Sequence, residues 1–244
     1  METQNQKKIL PTFGDSYGRG WDVMFRYFLI LLLIVIVMGI VMFPAQFLRI
    51  NIDADHIRWW KNDYFHFIGP GGLAALGVLA LILGVFSLIY LLLVVPVFKY
   101  GSDIMFVHAA RGIRPEFDTL IKGFKENYLH IVLARLLTTA LTMMAMMLLI
   151  IPGIVVGCRL AFVSYLVMDR KLDPIVAVEE SWRLTKGHGW TIFAMGFVAI
   201  FIFILGFVML FVGTIPAIMW IKSSFASLYE AVITEKNGVT AVTE

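Results

Sequence analysis

In four places a charged residue stands five to seven positions after a proline, within or beside an apolar run: Arg49, Asp103, Arg159 and Lys222. A charge near the centre of a bilayer is costly, and such groups usually face the interior of a helical bundle or a wet cavity. We therefore predict that Arg159 and Lys222 line a polar cavity that binds an anionic headgroup or solute. Asp103 and Glu230 are the expected counter-charges of this cavity. The alternative is that the long basic side chains snorkel to the outer headgroups.

A second group of residues is a candidate cytoplasmic interaction surface. It consists of Asp169, Glu179, Glu180 and Trp182, close together in the chain. Carboxylates and an indole ring at a membrane surface are suited to contact with a partner protein. The alternative is that they serve as ordinary helix caps and as an anchor in the headgroup layer.

The sequence lacks the signatures of catalysis. It contains no H-E-x-x-H, G-x-S-x-G, C-x-x-C, Walker or G-x-G-x-x-G motif, and no two of its five histidines lie three or four residues apart. We therefore predict no catalytic residue, no metal site and no cofactor. The basic residues follow the pattern of membrane loops, so we also predict that the protein does not bind nucleic acid.

The elements that must position these residues are membrane-spanning helices. The chain has 244 residues, of which 60% are hydrophobic and 15% charged, whereas about 25% of residues are charged in soluble domains. Four runs lack Asp, Glu, Lys and Arg, namely 27–48, 67–98, 136–158 and 187–221, and about 20 apolar residues suffice to cross a bilayer as a helix. We predict an all-α polytopic membrane protein with about six proline-broken transmembrane helices, at 24–46, 71–96, 129–151, 153–169, 190–213 and 215–234.

The distribution of basic residues predicts the orientation. Fourteen of the twenty Lys and Arg fall on one side of this six-helix arrangement and three on the other. Cytoplasmic loops carry the excess of basic residues, so both termini are expected in the cytoplasm. The predicted organisation is a cytoplasmic N-terminal segment at 1–20, a single helical membrane domain at 21–235 and a cytoplasmic tail at 236–244.

Prolines also mark an internal repeat. The segment "IPGIVVGCRLAFVSYLVMD" matches "IPAIMWIKSSFASLYEAVI" at a shift of 64 residues, which pairs Pro152 with Pro216 and Tyr165 with Tyr229. Both prolines are expected in tight external turns. Two other pieces that begin with proline, at 115–129 and 174–190, carry apolar residues at helical spacing. They predict two amphipathic helices on the cytoplasmic surface of the membrane.

The stretches "VVPVFKYG", "AARGIRPEFDTLIKGFKENYL" and "LLIIPGIVVGCRLAFVSYLVMDRKLDPIVAVEESWRLTKGHGW" resemble a poorly characterised family of bacterial integral membrane proteins. These are similar to the membrane domain attached to some glycerophosphodiester phosphodiesterases, but the catalytic domain has no counterpart here. The resemblance covers roughly 71–234 and implies a six-helix module of the bacterial inner membrane. We expect a non-enzymatic structural, lipid-interacting or accessory module, whose partners are membrane lipids and either a second copy or another membrane protein. The alternative is a small transporter or channel for an anionic or amphiphilic solute.

Overall fold

The computed structural model describes residues 11–47, 65–209 and 213–240, and Arg49 lies outside these ranges. Within them the chain is helical and has no strand. Over the same ranges the helices are α1 Phe13–Arg26, α2 Phe28–Phe47, α3 Phe65–Leu93, α4 Val95–Ala110, α5 Asp118–Glu126, α6 Tyr128–Leu148, α7 Ile150–Arg159, α8 Val163–Asp169, α9 Pro174–Thr185, α10 Gly189–Val208 and α11 Thr214–Thr240.

The helices include several that are long and apolar enough to cross a membrane. Four candidate spans are Gly77–Ala110, Tyr128–Leu148, Ile150–Asp169 and Gly189–Val208. The pair α1 and α2, which meets at a bend of 94°, is a fifth if it counts as one span. The protein is therefore an all-α multi-pass membrane protein, and its described residues hold four or five candidate spans where six were predicted.

The helix α11 contains the predicted span 215–234 and is not among the candidate spans. It carries Lys222, Glu230 and several serines, yet it is deeply buried: Ser223, Ser224 and Leu228 have no exposed surface. By contrast, apolar residues at the ends of α6 and α10 are largely exposed. A helix enclosed by other helices can carry polar residues that a lipid-facing helix cannot.

The first helix is packed on α11. Residues 13–20, predicted as part of a cytoplasmic segment, belong to this helix. The Tyr17 hydroxyl donates a hydrogen bond to the Met195 carbonyl at 2.8 Å, and the Trp220 indole donates to the Tyr17 carbonyl at 3.0 Å. A Cβ at Gly20 would lie 2.7 Å from the backbone of Ser224. Only glycine therefore permits this approach of α1 to α11.

The predicted end of a span at Pro96 is wrong. The chain continues as α4 to Ala110, so residues 97–110, which follow the predicted span 71–96, form a largely buried helix. Pro96 is the second residue of α4, where a missing N–H leaves no intrahelical bond unmade. Lys99 and Asp103 therefore lie on a helix of the bundle.

Proline also occupies the first turn of α7 and of α11. The break between α6 and α7 falls at Leu149, whose backbone is extended, so that Pro152 is the third residue of α7. Pro216 is likewise the third residue of α11. Both prolines therefore lie in the first turn of a helix, and the break between α6 and α7 comes at Leu149, before Pro152. The paired residues Tyr165 and Tyr229 stack with ring centroids 4.9 Å apart, while the internal repeat itself stays a prediction.

The predicted helix 153–169 is interrupted between α7 and α8, and Ser181 of α9 bridges the interruption. Its hydroxyl donates to the Arg159 carbonyl at 2.7 Å and accepts from the Phe162 amide at 3.3 Å. Ser181 is fully buried. The Thr185 hydroxyl also donates to the Arg159 carbonyl, at 3.4 Å. Buried backbone groups need partners, so Ser181 supplies one to the Phe162 amide and shares the Arg159 carbonyl with Thr185.

Helices are present where the two amphipathic pieces were predicted, as α5 and α9. In α5, Leu120 is buried while Ile121 is about half exposed, at 51%. In α9, Ala177 and Leu184 are buried while Ile175 is exposed. Their placement in the cytoplasmic headgroup layer stays a prediction.

The chain divides into two compact units, one of Met1–Met38 with Val97–Glu244 and one of Gly39–Pro96. Within the second unit the Tyr90 hydroxyl donates a hydrogen bond to the Val41 carbonyl at 2.9 Å. All the charged clusters described below lie within the first unit.

Candidate functional site

Lys222 of α11 and Asp103 of α4 form an ion pair inside the bundle. The Lys222 ammonium lies 2.8 Å from an Asp103 carboxylate oxygen and also donates to the Ser102 hydroxyl at 2.9 Å. The ammonium is 5.4 Å from the centre of the Phe106 ring, within cation–π range. The side chains of Lys222 and Asp103 are only 26% and 10% exposed. The structure thus brings together two of the four residues predicted to share a cavity.

Glu230 belongs to a different cluster, centred on Arg111. The Arg111 guanidinium donates to both oxygens of Asp169, at 2.6 and 2.7 Å, and to Glu230 at 2.7 Å. The Tyr229 hydroxyl donates to Asp169 at 3.0 Å. The hydrogen bonds with Asp169 raise the pKa of Arg111 above its ordinary value, so this cation persists across the physiological range. We refer to these four residues as the Arg111 cluster.

The Lys222–Asp103 pair and the Arg111 cluster are spaced equally along the two chain segments that form them. From Asp103 to Arg111 the chain advances eight residues, and from Lys222 to Glu230 it also advances eight. Contacts that advance equally along both helices show that α4 and α11 run parallel to one another. Eight helical residues rise about 12 Å, which is the approximate separation between the Lys222–Asp103 pair and the Arg111 cluster.

A pocket of about 310 Å³ adjoins the Arg111 cluster, between α4, α5 and the end of α8. Its apolar lining includes Ile104 and Met168, and its polar lining includes Lys122 and Lys171. The other lining residues are His108, Thr119, Gly123, Asn127 and Asp169. Asp169 is bound by Arg111, and the Lys122 ammonium lies 3.5 Å from the Asp118 carboxylate. The lining itself carries two lysines against one carboxylate. We call this site the basic pocket.

Lys171 has an unusual backbone conformation at the edge of the basic pocket. Its φ is +52°, in the left-handed region, directly after the α8 C-cap residue Arg170. Helices often end in this way, but the residue is usually glycine, because a side chain there costs about 1 kcal/mol. A lysine at this position places a positive charge next to the last turn of α8, where it interacts favourably with the helix dipole.

Arg159 is placed away from both clusters. Its guanidinium lies over the Trp182 indole at 5.8 Å and near the start of α10, 3.9 Å from where a Cβ on Gly189 would stand. One guanidinium nitrogen, Nη1, is buried without a hydrogen-bond partner among the described residues. The four residues predicted for one cavity therefore occupy three places, because the break after α7 directs this arginine toward α9.

The four residues of the predicted cytoplasmic interaction surface do not form one cluster either. Asp169 is part of the Arg111 cluster, and Glu180 accepts hydrogen bonds from Arg183 at 2.8 Å and Arg170 at 3.5 Å. The hydrogen bond with Glu180 raises the pKa of Arg183. Trp182 is 45% exposed beside Arg159, and Glu179 is exposed. Two of the three carboxylates are thus engaged within the protein.

Sequence reasoning did not single out the residues of the basic pocket or Arg111. Arg111, Lys122 and Lys171 were counted among the basic residues of cytoplasmic loops, and His108 among scattered histidines. The available signal was the abundance of charge in these connections. Pairing Arg111 with Asp169 requires the fold, because the two residues are 58 positions apart.

Comparison with known proteins gives no guide to the chemistry of these clusters. The chain matches no protein-family model, no curated protein and no solved structure. Over residues 11–47, 65–209 and 213–240, no group of three or more His, Cys, Asp or Glu side chains is placed to hold a metal ion. Function is therefore argued from the geometry of the charged residues.

Proposed function

We propose that this protein is a non-enzymatic, lipid-interacting module of a bacterial inner membrane, with both termini in the cytoplasm. The basic pocket is the observation that carries this proposal. The proposed orientation rests on the excess of Lys and Arg in the connections that contain the pocket residues. The same orientation puts the pocket at the cytoplasmic end of the bundle.

The chemistry of the basic pocket suits the headgroup of an anionic lipid. Lys122 and Lys171 supply positive charge, and Thr119 and Asn127 supply hydrogen-bonding groups. The apolar residues of the lining suit the glycerol backbone and the first carbons of the acyl chains. Basic pockets between helices on the cytoplasmic side are a recurrent way of binding phosphate headgroups, and about 310 Å³ lies at the lower end of small-ligand pockets.

Binding of short-chain lipids to the purified full-length protein tests the proposal. Dioctanoyl phosphatidylglycerol should raise the temperature of unfolding in a neutral detergent more than dioctanoyl phosphatidylcholine does, because a ligand that binds only the folded state stabilises it. The double variant Lys122→Gln, Lys171→Asn should lose this difference. Asparagine tolerates the left-handed backbone, so the second change removes the charge without imposing new strain.

The matched control is Lys125→Gln, which removes an exposed charge from the same helix α5 but does not line the pocket. It should keep the preference for phosphatidylglycerol. Equal stabilisation by the two lipids in the native protein, or an unchanged preference in the double variant, would show that the basic pocket does not select anionic headgroups.

A transporter or channel is a second candidate, and the polar residues along α4 favour it. Lys99 and Asp103 lie on α4 and Arg111 directly follows its last residue, so the three span about 18 Å at 1.5 Å per residue. Flux of an anionic solute into proteoliposomes, reduced by Lys222→Met and unaffected by Lys125→Gln, is the result expected of transport. Absence of flux for every anion tried, or equal flux in both variants, counts against this candidate.

A further inference from the structure

Three polar side chains in the lining of the basic pocket have unused hydrogen-bonding groups. They are His108 of α4, Thr119 of α5 and Asn127, the residue directly before α6. None of these side chains forms a hydrogen bond with any residue that the structure describes. Thr119 is nevertheless only 7% exposed, and a buried polar group without a partner is costly. Such groups in the lining of a pocket indicate a ligand that supplies the missing acceptors.

The helix α6 begins beside the same pocket. Asn127 is its N-cap residue, but the Asn127 side chain makes no hydrogen bond to the first turn. The Ile131 amide makes the first intrahelical bond, to the Asn127 carbonyl at 3.0 Å, and the amides before it have no partner within the helix. The first turn also contains no acidic residue. The positive end of this 21-residue helix therefore favours an anion in the pocket, in addition to the lysines.

We propose that the basic pocket selects phosphate monoesters over phosphate diesters, which among membrane lipids means phosphatidate. The inference rests on the proposed function, because it names the headgroup that the same pocket takes. A monoester presents three free oxygens and carries about −1.5 to −2 charges at pH 7, whereas the diester of phosphatidylglycerol presents two free oxygens and a single charge. Lys122 and Lys171 attract the phosphate in both cases. The donors of His108, Thr119 and Asn127 bind the third oxygen, which only the monoester has.

The size and the charge of the pocket support this assignment. A volume of about 310 Å³ suits a small headgroup, and a monoester lacks the second alcohol for which a diester needs space. The positive charge of the lining is modest, because the lining contains Asp169 and because the Lys122 ammonium lies 3.5 Å from Asp118. Hydrogen bonds from the neutral donors therefore decide which phosphate binds more tightly.

Two short-chain lipids that differ only at the phosphate test this selection. Dioctanoyl phosphatidylmethanol is dioctanoyl phosphatidate with one methyl ester, which removes the third free oxygen and adds little volume. Each lipid is titrated into the purified full-length protein in a neutral detergent at constant ionic strength, and the affinity is measured by calorimetry. Phosphatidate should bind about tenfold more tightly or better, because hydrogen bonds to charged groups contribute strongly.

Glycerol 3-phosphate, titrated in the same way, identifies the source of the monoester. Binding much weaker than that of phosphatidate shows that the acyl chains contribute and that the ligand is the lipid. Binding equal to that of phosphatidate shows that the pocket takes a soluble ester. The selection of a monoester holds in both cases.

Variants of Thr119 separate hydrogen bonding from charge. Thr119→Val removes the hydroxyl and should lower the affinity for phosphatidate about tenfold, while the affinity for phosphatidylmethanol changes little. Thr119→Ser keeps the hydroxyl and should keep the preference, which distinguishes a lost hydrogen bond from a folding defect. Lys125→Gln is the matched control on the same helix and should change neither affinity. A preference that came from charge alone would survive Thr119→Val.

Two results overturn the inference. The first is that phosphatidate binds no more tightly than phosphatidylmethanol, and the second is that the preference is unchanged in folded Thr119→Val. Both leave the proposed function intact as long as phosphatidylglycerol stabilises the protein more than phosphatidylcholine does. Equal stabilisation by those two lipids refutes the proposed function, and the inference falls with it.

Discussion

Removal of the Arg111 guanidinium should destabilise the protein more than removal of a carboxylate that it binds. Arg111 hydrogen-bonds to Asp169 and Glu230, whose side chains are only 12% and 14% exposed. In Arg111→Gln the two carboxylates face each other without a cation. In Glu230→Gln a balanced pair of Arg111 and Asp169 remains. The two variants therefore differ in residual charge, two negative charges against a neutral pair, and also in the number of lost bonds.

The magnitudes follow from this difference. Breaking a buried ion pair by removing one partner costs about 3–5 kcal/mol, and the 27% exposure of the Arg111 side chain places Arg111→Gln near the lower limit. At about 2–4 °C per kcal/mol for a chain of this size, the unfolding temperature should fall by about 6–12 °C. Glu230→Gln should cost about 1 kcal/mol or less, since it also relieves the repulsion between two carboxylates.

The assay is thermal unfolding of the detergent-purified protein, followed by tryptophan fluorescence. Arg114→Gln is the matched control, because Arg114 is an exposed arginine three residues away and has no ion pair in the described part of the chain. If Arg111→Gln unfolds within about 2 °C of this control, or if Glu230→Gln is equally damaging, the cluster does not stabilise the fold as argued.

Three further predictions concern the packing of the helices and the orientation of the chain in the membrane. Gly101→Ala should lower the free energy of unfolding by about 1–3 kcal/mol, because its Cβ would lie 2.9 Å from the backbone of α5. Gly196→Ala should be neutral or stabilising, because nothing lies within 4 Å of the added carbon. Thermal unfolding of the two variants compares these effects. Ser181→Ala should cost about 1–3 kcal/mol by the same measurement. It removes the partner of the Phe162 amide and leaves the Arg159 carbonyl with only the longer bond from the Thr185 hydroxyl, at 3.4 Å. An unchanged unfolding temperature would contradict the bridging role. Single cysteines introduced at 116–126, with the native cysteine replaced by serine, should react with a membrane-impermeant maleimide only after the cells are opened, and labelling of intact spheroplasts would reverse the proposed orientation.

The fold class could be predicted from hydropathy alone, but the positions of the helix ends could not. The predicted spans 129–151 and 190–213 correspond closely to α6 and α10, which are apolar helices with largely exposed surfaces. Pro96 was expected to end a helix and instead lies in the first turn of one. A proline is compatible with both positions, and only the packing of α4 decides between them.

The candidate site could be predicted only in part. Spacing after prolines drew attention to Lys222 and Asp103, which form an ion pair, while the predicted cavity stays a prediction. The same rule grouped Arg159 with them, although helix α7 ends at this residue and its side chain lies beside Trp182. Arg111 was not singled out, because a basic residue in a connection has an ordinary explanation in membrane topology. Contacts between distant helices depend on tertiary packing, which no local pattern encodes.

The central position of α11 has a consequence for the biosynthesis of the protein. Synthesis proceeds from the N-terminus, so α11 leaves the ribosome after every helix against which it packs. Until then Asp103 lacks its partner Lys222, and α1 lacks the surface that covers Tyr17 and Gly20. The helices made earlier must therefore enter the bilayer as an incomplete bundle with a polar gap, which the last helix fills.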